Sequence, residues 1–355
     1  MHHTSSHNTN STGSSSRPLG IFFKFVVPVI ISAGLCWLMF RHDSLGAMLE
    51  VINTKCDFAW IAVMLFVALL SNVFRALRWG IQLDAVGIHC SFIDLLYSIF
   101  GTYAVNLVFP RLGEVWRTGF IAQRRDANFG TVFGTMIADR FADLIVGLTL
   151  TLITLVIGYS AIASFVELYP DGYRQMLSLA TSPWLWGTIA VSVIAVVIIV
   201  RHSHGRIVSQ AREFALELWK GFASIISIRH KGLWLALTFM LWGCYLLQMY
   251  LAFLAFPFTR EILSAHGFTA VLICFTLGTI AMGIPSNGGI GPYQIAIIFG
   301  LMLYCPDAAG TTAAKAFELD SKAFANLILT SSTLLTIALG LWTFAAIALR
   351  SRRRH

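Results

Sequence analysis

The chain has 355 residues, of which 57% are hydrophobic and 12% are charged, and its mean hydropathy is +0.75. A soluble domain carries about 25% charged residues, so this composition excludes a water-soluble globular protein. The net charge of +8 does not indicate nucleic-acid binding, because the basic residues lie between apolar runs and at the C-terminal end, where they act as topology signals. We therefore predict an all-α, polytopic integral membrane protein.

The chain begins with a polar segment and continues as one membrane domain. Residues 1–18 are rich in serine and lack periodicity, which predicts a disordered cytoplasmic tail. Residues 19–349 are predicted to form a single transmembrane domain. Its first span, 19–40, is too long for a signal peptide and lacks a small-residue cleavage site, so we interpret it as a retained anchor.

The second and third apolar runs predict different structures. The second run, about 57–77, is long enough to cross the bilayer and is closed by Arg75 and Arg78. The third run, 92–109, is broken by glycine, asparagine and proline, and the basic cluster after it belongs in the cytoplasm by the positive-inside rule. Because the chain enters from the cytoplasm and returns to it, this run predicts a re-entrant hairpin or a pair of half-helices.

The middle of the chain predicts two spans and a cytoplasmic linker. Residues 130–160 lead outward and residues 183–200 return, with the nearly charge-balanced loop 161–182 on the outside. The linker, 201–231, carries apolar residues at helical spacing opposite charged ones. We predict an amphipathic helix that lies on the anionic leaflet, and a solvated linker helix is the alternative.

The C-terminal part of the chain returns to long apolar runs. Spans are predicted at 233–256, 268–284 and 324–349, a shorter apolar run ends at Tyr304, and residues 350–355 form a basic cytoplasmic tail. The count is about eight transmembrane helices plus one re-entrant hairpin. Its even parity places both termini in the cytoplasm, which agrees with the basic residues near both ends.

Three clusters interrupt the apolar pattern, and the first contains Asn106, Pro110, Gly113, Glu114 and Arg117. Glu114 and Arg117 are three residues apart, so they share a helical face and can pair. Pro110 frees a backbone carbonyl, and Gly113 permits a bend or the close approach of another backbone. Charges and helix breakers at membrane depth are costly and usually mark a working site.

The second cluster is Asp139, Arg140 and Asp143. The two aspartates are four residues apart and stack on one helical face, so they must face protein, water or a cation rather than lipid. Together with Arg111, Glu114 and Arg117 they make three arginines and three carboxylates, which permits a self-neutralising buried network. We predict a role in a polar cavity, and a network that only fixes the helix positions is the alternative.

The third cluster is a turn from Pro285 to Pro292 that contains Gly288, Gly289 and Gly291. Two prolines and three glycines within eight residues end a helix, and backbone groups at a helix end can bind an anion such as phosphate. A simple cytoplasmic turn is the alternative. The first and third clusters each break a short apolar segment, one in each half of the chain, which suggests inverted repeats as a hypothesis.

Enzymatic motifs are missing from the sequence. It has neither an H-E-x-x-H pair nor a G-x-S-x-G elbow, and its ten histidines are spread through tails and loops. We predict no catalytic residue, no cofactor and no metal. A membrane glycosyltransferase that uses Asp139 and Asp143 is a weaker alternative, because the acids early in the chain are too dispersed to form the acidic motif it would need.

The three clusters, in this order, resemble the membrane region of the lysylphosphatidylglycerol synthase/flippase family, which includes stand-alone flippase-like proteins. The matching residues are N-x-x-x-P-x-x-G-E-x-x-R from Asn106 to Arg117, acid-Arg-x-x-Asp from Asp139 to Asp143, and the proline-rich G-G-I-G turn. The resemblance covers nearly all of the chain after the polar tail. The ordered set of motifs is more specific than any one of them.

The chain departs from that family at two positions. Asp139 stands where the family usually has glutamate, and Gln294 follows the turn where a glutamate is common, which puts a proton-coupling role there in doubt. The chain also lacks the soluble aminoacyl-transferase domain of the two-part members. The resemblance thus implies that it does not synthesise an aminoacylated lipid by itself, and we predict that it is not an enzyme.

The resemblance implies a protein that moves, or helps to move, a phospholipid or glycolipid between leaflets. The arginines would attract the phosphate, and the aspartates would meet a cationic or hydroxyl-rich part of the headgroup or hold the arginines in place. The residues assigned to headgroup binding are Arg111, Glu114, Arg117, Asp139, Arg140 and Asp143. The residues assigned to structure or gating are Asn106, Pro110, Gly113, Pro285, Gly288, Gly289 and Gly291.

The alternative function is a non-transporting membrane partner of a separate lipid-modifying synthase or glycosyltransferase. We expect either protein in a cytoplasmic (inner) membrane of bacterial type.

Overall fold

The structure is a computed structural model that describes residues 45–108, 112–159, 206–284, 286, 289–305 and 311–352, with six further residues between 182 and 191. Within these residues the chain is helical and contains no strand. The helices are α1 (Leu45–Lys55), α2 (Phe58–Ala85), α3 (Phe92–Val108), α4 (Gly113–Arg125), α5 (Phe129–Ile157), α6 (Arg206–Ser227), α7 (Lys231–Phe253), α8 (Pro257–His266), α9 (Phe268–Met282), α10 (Pro292–Met302) and α11 (Thr312–Arg352).

Four of these helices, α2, α5, α7 and α11, are long and apolar enough to cross a membrane. A fifth candidate span consists of α8 and α9, which are joined at a bend of 114°. Large apolar side chains remain exposed along α5, among them Leu148, Leu152 and Val156, as expected of a surface that faces lipid. The predicted all-α integral membrane protein is therefore confirmed.

The predicted count of about eight spans stays a prediction. The anchor at 19–40 lies outside the described residues, as do the tail at 1–18, the loop at 161–181 and most of the span at 183–200. The spans predicted at 57–77, 130–160, 233–256 and 324–349 correspond to α2, α5, α7 and α11, respectively.

The helix α2 packs against both α5 and α7. Its N-cap residue is Asp57, whose side chain accepts a hydrogen bond of 3.1 Å from the backbone N–H of Ala59. We predicted that Arg75 and Arg78 close this membrane span near Leu77, and the boundary of the span stays a prediction. The helix itself continues to Ala85, and both arginines form ion pairs with α5.

The helices α3 and α4 form the predicted helical hairpin. α3 continues through Gly101, where an added Cβ would lie 2.2 Å from the ring of Trp116 in α4. At Gly113 an added Cβ would lie 2.4 Å from the carbonyl oxygen of Thr102, so the close backbone approach predicted there is confirmed. The side chain of Asn106 completes the turn, since its Oδ1 accepts the Gly113 N–H at 2.8 Å.

A second pair of short helices, α9 and α10, packs in the other half of the chain. They contain 15 and 11 residues and extend about 22 and 16 Å, whereas the hydrocarbon core is about 30 Å thick. Neither helix crosses the core alone. Both hairpins contact α11, α3–α4 through α3 and α9–α10 through α10.

The predicted amphipathic helix of the linker 201–231 is present as α6. It packs against the first half of α5, and Gly134 and Gly221 allow the two backbones to touch: an added Cβ at Gly134 would lie 2.2 Å from the Leu218 carbonyl oxygen. Leu216 and Trp219 are exposed on the opposite side. Docking on α5 makes a freely solvated linker helix the poorer interpretation, and contact with the leaflet stays a prediction.

Candidate functional site: a buried charge network

The central ion pairs join α2 to α5. Arg78 is fully buried, and its Nη2 lies 2.7 Å from Asp139 Oδ1 and 2.8 Å from Asp143 Oδ1. Asp139 is also fully buried. The two aspartates reach one guanidinium because they are four residues apart on one face of α5, as the sequence predicted.

Asp143 is the most connected residue of the network. Besides Arg78, it has two more distant cations, Arg75 and Arg140, each with a nitrogen 3.8 Å from Asp143 Oδ2. The indole N–H of Trp242 in α7 donates a hydrogen bond of 3.3 Å to Asp143 Oδ1. This one carboxylate therefore links α2, α5 and α7.

Arg75 extends the network toward α7. Its Nη2 donates a hydrogen bond of 2.6 Å to the hydroxyl of Tyr245, and its guanidinium lies 5.8 Å from the centre of that ring. Arg75 and Arg78 are three residues apart, so they project from the same side of α2. Along α5, Arg75 is paired with Asp143 and Arg78 with the earlier Asp139. Along α7, Arg75 contacts Tyr245, and Arg78 lies 6.0 Å from the centre of the earlier Trp234 ring, so α2 runs antiparallel to both helices.

Glu114 and Arg140 form the partly exposed edge of the network. Arg140 Nη2 lies 2.7 Å from Glu114 Oε1, and about a third of each side chain is exposed. We expected Glu114 to be able to pair with Arg117 on the same helix, and this was wrong. Arg117 points to α2, so the carboxylate of Glu114 is paired with α5 instead.

Arg117 is buried without a carboxylate partner. Its residue exposure is 2%, and its guanidinium carbon lies 3.8 Å from the centre of the Trp79 ring, a cation–π contact. Among the described residues, no carboxylate lies within 4 Å of its nitrogens. The Trp79 indole N–H donates a hydrogen bond of 3.1 Å to Thr135 Oγ1, which fixes the ring under the guanidinium.

The structure brings together five of the six residues assigned to headgroup binding: Glu114, Arg117, Asp139, Arg140 and Asp143. The sixth, Arg111, lies outside the described residues, as do Pro110, Pro285 and Gly288. The predicted network of three arginines and three carboxylates left out two members, because Arg75 and Arg78 also belong to it. Four guanidinium groups then face three carboxylates in the described part of the chain.

The glycine turn of the third cluster lies in the α9–α10 hairpin. Gly289 and Gly291 have φ angles of +83° and +93°, which glycine adopts without strain. The Gly291 N–H donates a hydrogen bond of 2.8 Å to Gln294 Oε1, and Gln294 Nε2 in turn donates to Asn326 of α11. The described part of this turn forms no ion pair or hydrogen bond with the charge network, so a gating role stays a prediction.

Sequence reasoning missed Arg75, Arg78, Trp79 and their partners in α7. The signal that was present is the uninterrupted helical pattern beyond Leu77, in which two arginines three residues apart share a face. The described residues contain no cluster of three or more His, Cys, Asp and Glu side chains that could hold a metal. The guanidinium and carboxylate groups of the network are suited to binding charged groups of a ligand.

Long apolar helices around a buried charge network define the class of protein: an α-helical integral membrane protein with a polar site between its helices. The family described as "Lysylphosphatidylglycerol synthase TM region" matches residues 25–321, most of the chain, and the chain belongs to this family. The suspected resemblance is thus confirmed, and it links the protein to lipid metabolism. No curated protein and no solved structure is significantly similar to the chain.

Proposed function

We propose that the charge network binds the phosphate-bearing headgroup of a phospholipid or glycolipid and that the protein helps to move this lipid between leaflets. The observation that carries the proposal is the state of Arg117, a buried cation that stacks on Trp79 and has no carboxylate partner among the described residues. A buried charge without a counter-ion is costly, so helix packing alone is a poor reason for its presence.

The hairpin of α3 and α4 supports a transport role. Irregular backbone at membrane depth is tolerated where it is enclosed by protein or lines a polar cavity. This hairpin positions Glu114 and Arg117 against the spans α2 and α5. The partly exposed pair of Glu114 and Arg140 would be the place at which a headgroup enters.

The protein is proposed to act without catalysis. Within the described residues, each of the three carboxylates of the network is held by at least one arginine, and the ion pairs of the network include no histidine, serine or cysteine side chain that could act as a nucleophile.

The proposal also includes the topology of the protein: a location in a cytoplasmic membrane, cytoplasmic termini and eight transmembrane helices. The location and the orientation of the termini rest on the charge distribution of the sequence, and the helix count rests on its apolar runs.

The test is a lipid-movement assay in liposomes that contain the full-length protein and acyl-labelled lipids. Wild type is compared with Arg117→Ala and Glu114→Ala, and Arg124→Ala serves as control. Arg124 lies on the same helix but pairs with Asp94 at 2.6 Å, outside the network. We expect Arg117→Ala to slow lipid movement at least about tenfold, the factor that corresponds to losing 1.4 kcal/mol.

Glu114→Ala is expected to give a smaller loss, because its ion pair is partly solvated, and the control is expected to match wild type. Equal movement by all four proteins would contradict the proposal. The alternative, a non-transporting partner of a lipid-modifying enzyme, predicts that wild type binds lipid without moving it and co-purifies with that enzyme.

A further inference from the structure

Buried polar atoms without a protein partner are concentrated in one region. Within the described part of the chain, fifteen buried side-chain nitrogen and oxygen atoms have no hydrogen-bond partner, and thirteen belong to α2, α4, α5, α6 and α7. They come from the charge network and from three neighbouring side chains, Gln82, Ser224 and Trp234. Native proteins leave few such atoms, so their concentration calls for a ligand or water.

Two of these thirteen atoms, Arg78 Nη2 and Asp139 Oδ1, face each other in the ion pair of 2.7 Å. Of the remaining eleven, eight are N–H donors: six arginine nitrogens, two of which belong to Arg117, together with the Gln82 amide nitrogen and the Trp234 indole nitrogen.

The other three atoms are one oxygen each of Gln82, Asp139 and Ser224. The unpaired set is therefore rich in donors and poor in acceptors. Its chemical complement is a group with several acceptor oxygens, such as a phosphate ester.

The carboxylates of the network are already engaged. Asp139 is held by Arg78, Asp143 by Arg78 with two further arginines at 3.8 Å, and Glu114 by Arg140. We expected the two aspartates to meet a cationic part of a headgroup or to hold the arginines in place, and their contacts support the second role. An incoming ammonium group would have to displace a guanidinium from one of them.

We propose that this network selects lipid headgroups of net negative charge, phosphate esters without a compensating ammonium group, over zwitterionic and cationic headgroups. The inference rests on the proposed function, because it names the substrate class of the same site. Arg117 supplies the unneutralised positive charge, and the four guanidinium groups exceed the three carboxylates by one. An ammonium group near Arg117 would meet repulsion instead of a counter-ion.

The first experiment compares three acyl-labelled lipids in liposomes that contain the full-length protein: phosphatidylglycerol, phosphatidylcholine and an aminoacylated phosphatidylglycerol. The label is on the acyl chain, so the headgroup charge is unchanged. We expect the anionic lipid to move at least about tenfold faster than the zwitterionic one, equivalent to 1.4 kcal/mol, and the cationic lipid to move most slowly. Equal rates for all three would overturn the selection and leave transport standing.

Two variants locate the selectivity. Arg117→Gln is expected to reduce the preference for the anionic lipid, whereas Arg124→Gln, on the same helix but paired with Asp94, is expected to keep it. A preference that survives Arg117→Gln unchanged would overturn the role of Arg117. The comparison of lipids in wild type does not depend on whether either variant folds.

A binding experiment separates this inference from transport. The thermal stability of the full-length protein in neutral detergent is measured with short-chain phosphatidylglycerol, short-chain phosphatidylcholine or inorganic phosphate. Stabilisation by the anionic lipid alone supports the selection even where no lipid moves, which would contradict only the proposed transport. Equal stabilisation by both lipids overturns the selection, and equal stabilisation by inorganic phosphate overturns the lipid as the source of the anion.

Discussion

Arg78 of α2 and Asp139 of α5 form an ion pair of 2.7 Å in which neither side chain is exposed. The pair joins two antiparallel helices that are both long enough to cross a membrane. Removing one partner of such a pair leaves an uncompensated buried charge, whereas removing both removes the charge as well. The helix contact therefore depends on keeping the two residues matched.

Arg78→Met is expected to lower the free energy of unfolding by about 3–5 kcal/mol, because Asp139 and Asp143 lose their closest cation. The double variant Arg78→Met with Asp139→Leu is expected to recover part of this loss. Thermal unfolding in detergent measures both effects. Lys220→Ala, which breaks an exposed pair with Glu217, is the control and is expected to change the stability little, because solvent screens this pair. A double variant less stable than the single one would contradict the coupling.

The contact between the Trp79 ring and Arg117 is expected to contribute more to the free energy of unfolding than the hydrogen bond of the Trp79 indole does. Thr135→Val removes the hydrogen bond to the Trp79 indole and the bond from the Thr135 hydroxyl to the Val132 carbonyl, and it should cost about 1–2 kcal/mol. Trp79→Leu also removes the ring under the guanidinium and should cost about 3–5 kcal/mol. The two variants are compared by thermal unfolding, and equal losses would show that the ring contact contributes nothing.

The sequence predicted the membrane class and the main spans because both depend on local composition. Runs of about 20 apolar residues and the spacing of Asp139 and Asp143 are visible in one dimension. The end of α2 could not be predicted in this way. Arg75 and Arg78 resemble residues at a membrane boundary until the carboxylates of α5 are known to face them.

The sequence showed which residues belong to the site more readily than which of them pair with one another. Glu114 and Arg117 have the spacing of a helical ion pair, but each side chain has a better partner on another helix: Arg140 for Glu114 and Trp79 for Arg117. A local pair contributes about 0.2–0.5 kcal/mol, so tertiary contacts readily replace it. To predict which contact forms, one must know how three helices pack together, and the spacing of residues along the chain does not give this information.

The glycine contact between α5 and α6 makes a further prediction. Gly221→Ala would place a Cβ 2.2 Å from the carbonyl oxygen of Thr131, so the helices must separate. We expect a loss of about 1–3 kcal/mol in stability, measured by thermal unfolding. Gly232→Ala, with no atom within 4 Å of the added Cβ, is the control and should be neutral. Equal effects of both substitutions would contradict the close approach.

Gln294 is expected to resist replacement by glutamate, the residue that the family often has after this turn. The Gln294 amide accepts the Gly291 N–H through Oε1 and donates to Asn326 Oδ1 through Nε2. A glutamate carboxylate keeps the first bond and loses the second. Asn326 cannot reverse its amide freely, because its Nδ2 donates to the Lys322 carbonyl at 2.8 Å.

Gln294→Glu should therefore lower the free energy of unfolding by about 1–3 kcal/mol at neutral pH. A protonated glutamic acid has an O–H donor. The difference in the free energy of unfolding between Gln294→Glu and wild type should therefore become smaller as the pH falls toward about 4.3, the ordinary pKa of glutamate. Thermal unfolding between pH 7 and 4 measures this convergence, and Gln294→Leu, which has no titrating group at this position, is the control. A stability difference between Gln294→Glu and wild type that stays constant over this pH range would show that the hydrogen bond donated to Asn326 does not contribute to stability.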